Sequence, residues 1–130
     1  KRKRRCGWFD TVLVGQSIAI NGITDVVLTK LDVLDELEEI QVCVGYETKH
    51  KKYNYLPFDE NIQNILMPIY ETIPGWQKST FGLTSWDDLP KKAQNYISFL
   101  ESKIQKNISI ISTGPDRAHT IDRNNLLGNN

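Results

Sequence analysis

Cysteine is scarce. Cys6 and Cys43 are the only two thiols in 130 residues. Two cysteines cannot staple a small secreted scaffold. With two histidines and no Cys-x-x-Cys, a structural zinc site is not expected either. Both are read as reduced thiols of a cytosolic protein. Long apolar runs are also lacking, so no helix should cross a bilayer. The basic start leads into Cys-Gly-Trp-Phe-Asp with no apolar stretch behind it, unlike a secretory leader. The match Asn107-Ile108-Ser109 to a glycosylation acceptor is therefore read as chance. Net charge is absent too, with 16 basic and 16 acidic side chains. That balance hides an asymmetry. Residues 1–5 are all basic, which leaves 11 basic against 16 acidic elsewhere, a net of −5.

What is present fits one globular domain. Charged residues make up 25%, an ordinary share that argues against disorder. A chain of this length can bury about two-thirds of its unfolded surface. There is no internal repeat and no low-complexity linker. The chain opens on Lys1-Arg2-Lys3-Arg4-Arg5 rather than on methionine, and is read as processed or as part of a longer one.

The pattern is mixed α and β. Asp10 can cap a helix carrying Val14, Ser17 and Ile18, stopped at Asn21-Gly22. Residues 26–28 are apolar on both faces, as in a strand buried in a parallel sheet. A polar string, Thr29-Lys30-Leu31-Asp32, follows. Residues 35–39 predict a short acidic helix with a solvated face. Residues 40–46 predict a strand and 53–56 a weaker one, with His50-Lys51-Lys52 at a hairpin tip. Asp59 can cap a helix through Ile62, Ile65 and Leu66 that Pro68 should stop. Residues 69–73 read as extended, closed by Pro74-Gly75. The clearest element has Ala93, Tyr96, Ile97, Leu100 and Ile104 at helical spacing, with Pro90 near its first turn and Asn107 as C-cap. Residues 108–111 predict a strand that runs into Ser112-Thr113-Gly114-Pro115-Asp116-Arg117. Residues 122–130 predict a frayed tail.

Two strings carry chemistry. After a buried strand, the Asp32 carboxylate could accept hydrogen bonds from N1–H and the exocyclic amine of guanine, a donor pair adenine lacks. The Lys30 stem could cover the base plane. A plain solvated turn is the competing reading. In the second string, Gly114 permits close backbone approach, and its neighbours' N–H groups could reach guanine O6. An ordinary Gly-Pro turn is the alternative there. The run at 1–5 could bind nucleic acid, phosphate or carboxylate, and its arginines offer a planar fork. Trp8 and Phe9 tether it to a packed element. His50, His119, Trp76 and Trp86 read as bland. No nucleophile–base pair or metal cluster is legible.

Four strings in order resemble adenylosuccinate synthetase. They are Arg2-Lys3-Arg4-Arg5-Cys6-Gly7-Trp8-Phe9-Asp10, Leu28-Thr29-Lys30-Leu31-Asp32-Val33-Leu34-Asp35, Tyr70-Glu71-Thr72-Ile73-Pro74-Gly75-Trp76 and Ile111-Ser112-Thr113-Gly114-Pro115-Asp116-Arg117. The resemblance covers roughly residues 2–121. It implies the C-terminal portion of a P-loop-like α/β fold, with a mainly parallel central sheet flanked by helices and a small antiparallel hairpin. It implies an enzyme that joins IMP and L-aspartate with GTP hydrolysis, needs Mg²⁺, is cytoplasmic and forms homodimers. By motif position, Arg2 resembles an IMP- and aspartate-binding arginine. Arg4 resembles one for aspartate and GTP. Lys30, Leu31, Asp32, Ser112, Thr113 and Gly114 resemble the guanine pocket. No nucleic acid or membrane partner is implied.

The departures are equally specific. The family's Gly-Asp-Glu-Gly-Lys-Gly phosphate loop, its catalytic aspartate and histidine and its Mg²⁺ ligands have no counterpart here. Lys1 stands where a Thr-Thr-Gly usually ends in glycine, and Asp122-Arg123-Asn124-Asn125 replaces a usual apolar strand. The expectation is a C-terminal third without catalytic residues, inactive alone. Two alternatives stand beside it: a free-standing guanine-nucleotide-binding module, and a basic nucleic-acid-binding domain resting only on residues 1–5.

Overall fold

The computed structural model describes residues 8–124. The chain enters through a two-residue strand, β1 (Phe9–Asp10), and turns at once into α1 (Thr11–Asn21). The Asp10 carboxylate accepts from the N–H groups of Val12 and Leu13, both at 3.0 Å. Such a cap is worth about 1 kcal/mol. Gly22, at φ +65°, closes the helix in the left-handed conformation that glycine adopts without strain. Cap and stop are both where the sequence puts them.

Then come β2 (Val26–Leu28), a 3₁₀ turn at Leu31–Leu34, β3 (Glu39–Glu47), β4 (Lys52–Tyr53), α2 (Glu60–Gln63) and β5 (Met67–Pro74). A second 3₁₀ turn at Trp86–Asp88 leads into α3 (Lys91–Ile104), β6 (Ile108–Ser112) and β7 (Thr120–Asp122). The strands form two sheets. In the first, β3 pairs in parallel with β1 and antiparallel with β4 and β5. In the second, β6 lies between β2, parallel, and β7, antiparallel.

The core lies where α3 meets both sheets. Ala93, Tyr96, Ile97, Leu100 and Ile104 are all buried, which is the stripe the spacing predicts. They pack with Ile40 and Val42 of β3 and with Ile108, Ile111 and Ile121. Each such aliphatic side chain stabilises the fold by about 1.5–3 kcal/mol on burial.

Several expectations need correction. The sheets are mixed rather than mainly parallel. The expected small hairpin is present as β3 with β4, Tyr46 facing Tyr53, but β3 also forms a long antiparallel ladder with β5, Glu39 to Glu47 facing Pro74 to Met67. The acidic helix expected at 35–39 is instead the 3₁₀ turn at Leu31–Leu34, and Glu39 already belongs to β3. Asp35 is held by Trp76 and Thr80, and Glu39 is drawn into β3 opposite Pro74, which leaves no free run for a helix. The weaker strand at 53–56 shrinks to Lys52–Tyr53. The helix after Asp59 is a single turn ending well before Pro68. None of its residues is buried, so little besides its cap favours it. Pro68 lies inside β5.

Two further differences concern ends and edges. α3 ends at Gln105, φ +58°, rather than at Asn107, and its Glu101 carboxylate accepts from the Ile108 N–H at 2.6 Å. Asp122 to Asn124 do not fray. Asp122 belongs to β7. Arg123 pairs with Glu101 at 2.8 Å and lies 4.0 Å from the Trp86 ring, and the Asn124 amide donates to Ser109 Oγ. Finally, β2 is not covered on both faces, because Val27 is 54% exposed. Among the described residues β2 has one neighbour, β6, and its other edge is open.

Candidate functional site at the ends of two parallel strands

The parallel register of β2 with β6 sets Leu28 beside Ile111. The chain therefore leaves the sheet after Leu28 and, on the neighbouring strand, after Ser112. Two strings more than 80 residues apart in sequence meet at one sheet end. In α/β sheets, that is where ligands settle.

On the β2 side, Lys30 is exposed and adopts the left-handed conformation, φ +58°. Leu31 is buried in the core and anchors the turn. Asp32 opens the 3₁₀ turn half-buried. On the β6 side, Thr113 is fully buried and its polar atoms are engaged within the protein. Its N–H donates to His119 O at 2.9 Å, its hydroxyl to Leu83 O at 2.8 Å, and its carbonyl accepts from the Gly82 N–H at 3.0 Å. Ser112 Oγ donates to Gly114 O at 3.2 Å.

Gly114 has a packing reason to be glycine. A Cβ there would meet His119 Nδ1 at 2.3 Å and Phe81 Cε1 at 3.1 Å. The Phe81 and His119 rings lie 4.8 Å apart, so the pair closes against the loop. Gly114→Ala is expected to cost about 1–3 kcal/mol through overpacking. Thermal unfolding checks this. The Tm should drop in Gly114→Ala and recover in part when His119→Ala is added. An unchanged Tm in the single variant would show that the imidazole swings away freely.

A loop after β5 ties the two halves together. Gly75 begins it, pressed so closely on the backbone at Leu37 that a Cβ would lie 1.9 Å from Leu37 O. Trp76 Nε1 donates to Asp35 Oδ1 at 2.8 Å, and Thr80 donates to Asp35 through its N–H and its hydroxyl, both at 2.7 Å. A cleft of about 590 Å³ opens there, with Asp32 and Glu36 on one wall and Gln77, Lys78 and Phe81 on the other. A second cleft of about 460 Å³ brings Phe9 to Val27, Thr29 and Lys30.

Behind Phe9 lies a cluster of titratable groups. The Tyr46 hydroxyl donates to Asp10 Oδ2. Burial pushes the Tyr46 phenol well up, and the hydrogen bond to Asp10 and its charge add to this. The neighbouring Cys43 thiol is also pushed up, by burial first and the Asp10 charge second. It is therefore a poor nucleophile at neutral pH. Among the described residues no three His, Cys, Asp or Glu side chains converge as a metal site requires. No helix is long and apolar enough to cross a membrane, again among the described residues.

The structure thus brings together Lys30, Leu31, Asp32, Ser112, Thr113 and Gly114. Arg2 and Arg4 lie outside the described residues. The family model for adenylosuccinate synthetase matches residues 1–121. The chain belongs to the adenylosuccinate synthetase family.

Individual relatives agree. The adenylosuccinate synthetase of Coxiella burnetii (strain RSA 493 / Nine Mile phase I) is 52% identical over 122 residues, covering 94% of this chain and 28% of that protein. That of Ehrlichia canis (strain Jake) is 51% identical over 124 residues, covering 95% and 29%. The fold is similar to the fully ligated adenylosuccinate synthetase of Plasmodium falciparum, with a TM-score of 0.83 at 36% identity, over 94% of this chain and 30% of that one. The chain spans about three-tenths of the length of these synthetases.

Sequence reasoning missed Asp35, Thr80, Phe81 and His119. Asp35 read as one carboxylate among several on a solvated face, and His119 as bland. The only local signal was Thr80-Phe81-Gly82, a small polar residue, an aromatic and a glycine at φ +76°.

Proposed function

We propose that this chain is the C-terminal portion of an adenylosuccinate synthetase, with residues 1–121 as its part of the synthetase domain. The whole enzyme forms adenylosuccinate, GDP and phosphate from IMP, L-aspartate and GTP. The terminal phosphoryl group of GTP passes to the 6-oxygen of IMP. The aspartate amine then displaces that phosphate from C6. In this reading Lys30, Leu31 and Asp32 form one side of the guanine pocket and Ser112, Thr113 and Gly114 the other. The observation that carries it is the parallel register of Leu28 with Ile111, which supports a shared site at the two strand ends.

The roles divide by chemistry. Asp32 accepts from the base's two donors. The Lys30 stem covers its face. Leu31 and Thr113, both buried, hold the two turns in place. Thr113 is engaged internally, so contact with the base falls to Ser112 and Gly114. Arg2 and Arg4 present forked donors to the IMP ribose region, the aspartate carboxylate and the GTP ribose. Mg²⁺ serves the whole enzyme by stabilising charge on the phosphates. In this reading its ligands lie outside this chain, with the family's phosphate loop. The open edge of β2 supports completion by further strands into a P-loop-like sheet. A cytoplasmic homodimer completes the reading.

Two experiments test it. In the intact enzyme, Arg4→Leu should raise KM for aspartate at least about tenfold more than Lys3→Leu does, because a fork matched to a carboxylate is lost. Equal small effects in steady-state kinetics would favour a generic basic run. On the purified chain, binding of guanosine and GTP is measured against salt. Guanine-selective binding with no preference for phosphates would support the free-standing module instead. Binding that ignores guanine and falls steeply with salt would support a nucleic-acid-binding role.

A further inference from the structure

Asp35 bonds across the cleft that Asp32 lines rather than into it. Its two carboxylate oxygens accept three hydrogen bonds, all from the loop at 76–80. Charge-assisted bonds of this length are strong and directional. The donors themselves are well packed, since Trp76 is buried against Tyr96 and Thr80 is fully buried. At its own end, Asp35 is fastened to Asp32, whose carbonyl accepts from the Asp35 N–H at 3.1 Å. At the far end, the same loop is fastened to the other half of the site. The Gly82 N–H donates to Thr113 O at 3.0 Å, and Leu83 O accepts from the Thr113 hydroxyl at 2.8 Å.

We propose that Asp35 is a positioning residue for nucleobase selection, acting through the 76–83 loop to set the separation between Asp32 and the Ser112–Gly114 turn. This rests on the guanine reading of that site. The physical argument is one of connection. The two turns leave neighbouring strands, but the sheet alone does not hold them once they leave it. The loop bridges them with hydrogen bonds at both ends, and Phe81 between those ends reaches both the Asp32 cleft and Gly114. Loosening the Asp35 end lets Asp32 move relative to Gly114. A base gripped at its N1–H and amine edge on one side and at O6 on the other then loses both registrations together.

The test uses the intact synthetase that carries this segment. Asp35→Asn keeps the shape but turns one acceptor into a donor facing Thr80 or Trp76. Thr80→Val removes one donor, and Thr80→Ser restores it. Asp25→Asn is the control, because Asp25 also accepts from a strand hydroxyl, Ser109, but lies at the opposite end of β6. Asp35→Asn and Thr80→Val are expected to raise KM for GTP about tenfold while kcat and KM for IMP change less than about twofold. They should also reduce the preference for GTP over ITP, which lacks the 2-amine. Thr80→Ser and Asp25→Asn should leave both unchanged, even where Asp25→Asn lowers Tm. The Trp76 indole N–H resonance, assigned through Trp76→Phe, should shift in Asp35→Asn.

A shifted resonance with unchanged GTP kinetics overturns the proposal, and so does an unshifted resonance. If Asp35→Asn does not fold, Thr80→Val carries the same comparison. Asp32→Asn separates the two levels. A change in Asp32→Asn without one in Asp35→Asn or Thr80→Val sinks the positioning role alone. No change in any of them sinks the guanine reading with it.

Discussion

Asp32→Asn in the intact synthetase is expected to raise KM for GTP. The substitution keeps the size of the side chain and replaces one acceptor oxygen with a donor. A guanine edge presents two donors, so one of them would face an N–H group. A mismatched, partly buried hydrogen-bonding group costs about 1–3 kcal/mol, which is about five- to 150-fold in KM. The effect has a sign that a general loss of stability lacks. Xanthosine triphosphate carries an oxygen where guanine has its amine, and that oxygen accepts from the new amide. Partial rescue by xanthosine triphosphate, read in steady-state kinetics, is the expected signature. Unchanged GTP kinetics would remove Asp32 from the site.

The isolated chain is expected to show no synthetase activity. Phosphoryl transfer depends on positioned donors and a metal around the phosphates. The described residues contain no convergent metal cluster, and in the proposed reading the two turns serve the base rather than the phosphates. The assay supplies IMP, GTP, aspartate and Mg²⁺ to the purified chain and measures adenylosuccinate. The open edge of β2 gives a second readout. Val27 is 54% exposed there, and Leu13 and Ile20 are exposed on α1. An unpaired strand edge beside apolar side chains favours association. Sedimentation should show self-association that declines when the rest of the synthetase is added. Turnover near that of a full-length enzyme would require a catalytic site that none of the described residues explains.

The legible parts of the fold share a property. α3 was readable because its buried positions recur at helical spacing and its partners are simply whatever apolar surface lies opposite. α1 was readable at its ends, where Asp10 and Gly22 act within a few residues of themselves. The strings Thr29 to Asp32 and Ser112 to Arg117 stood out because each follows a short apolar strand. In each case the cause is local, so the sequence carries it openly.

Other features depend on distant partners. The ladder of β3 with β5 was read as extended segments, but its antiparallel sense comes from the path between them. The single turn of α2 has a good cap and suitable residues, yet none of its residues is buried. The tail at 122–124 is polar and looked loose. Arg123 holds it through Glu101 and the Trp86 ring, contacts 22 and 37 residues back.

By itself, the sequence determined the family, the two polar turns on which the guanine proposal rests, and the helix that organises the core. Those follow from residue type, short-range spacing and ordered strings. Only the tertiary structure decided that the two turns adjoin, because their meeting depends on the register of Leu28 with Ile111. It alone turned Asp35 from one acidic residue among several into an acceptor of three hydrogen bonds, and Gly114 from a flexible turn residue into one with no room for a Cβ. The reason is the same in each case. A hydrogen bond or a steric contact between separate segments is a property of two surfaces in register, and neither surface alone records it.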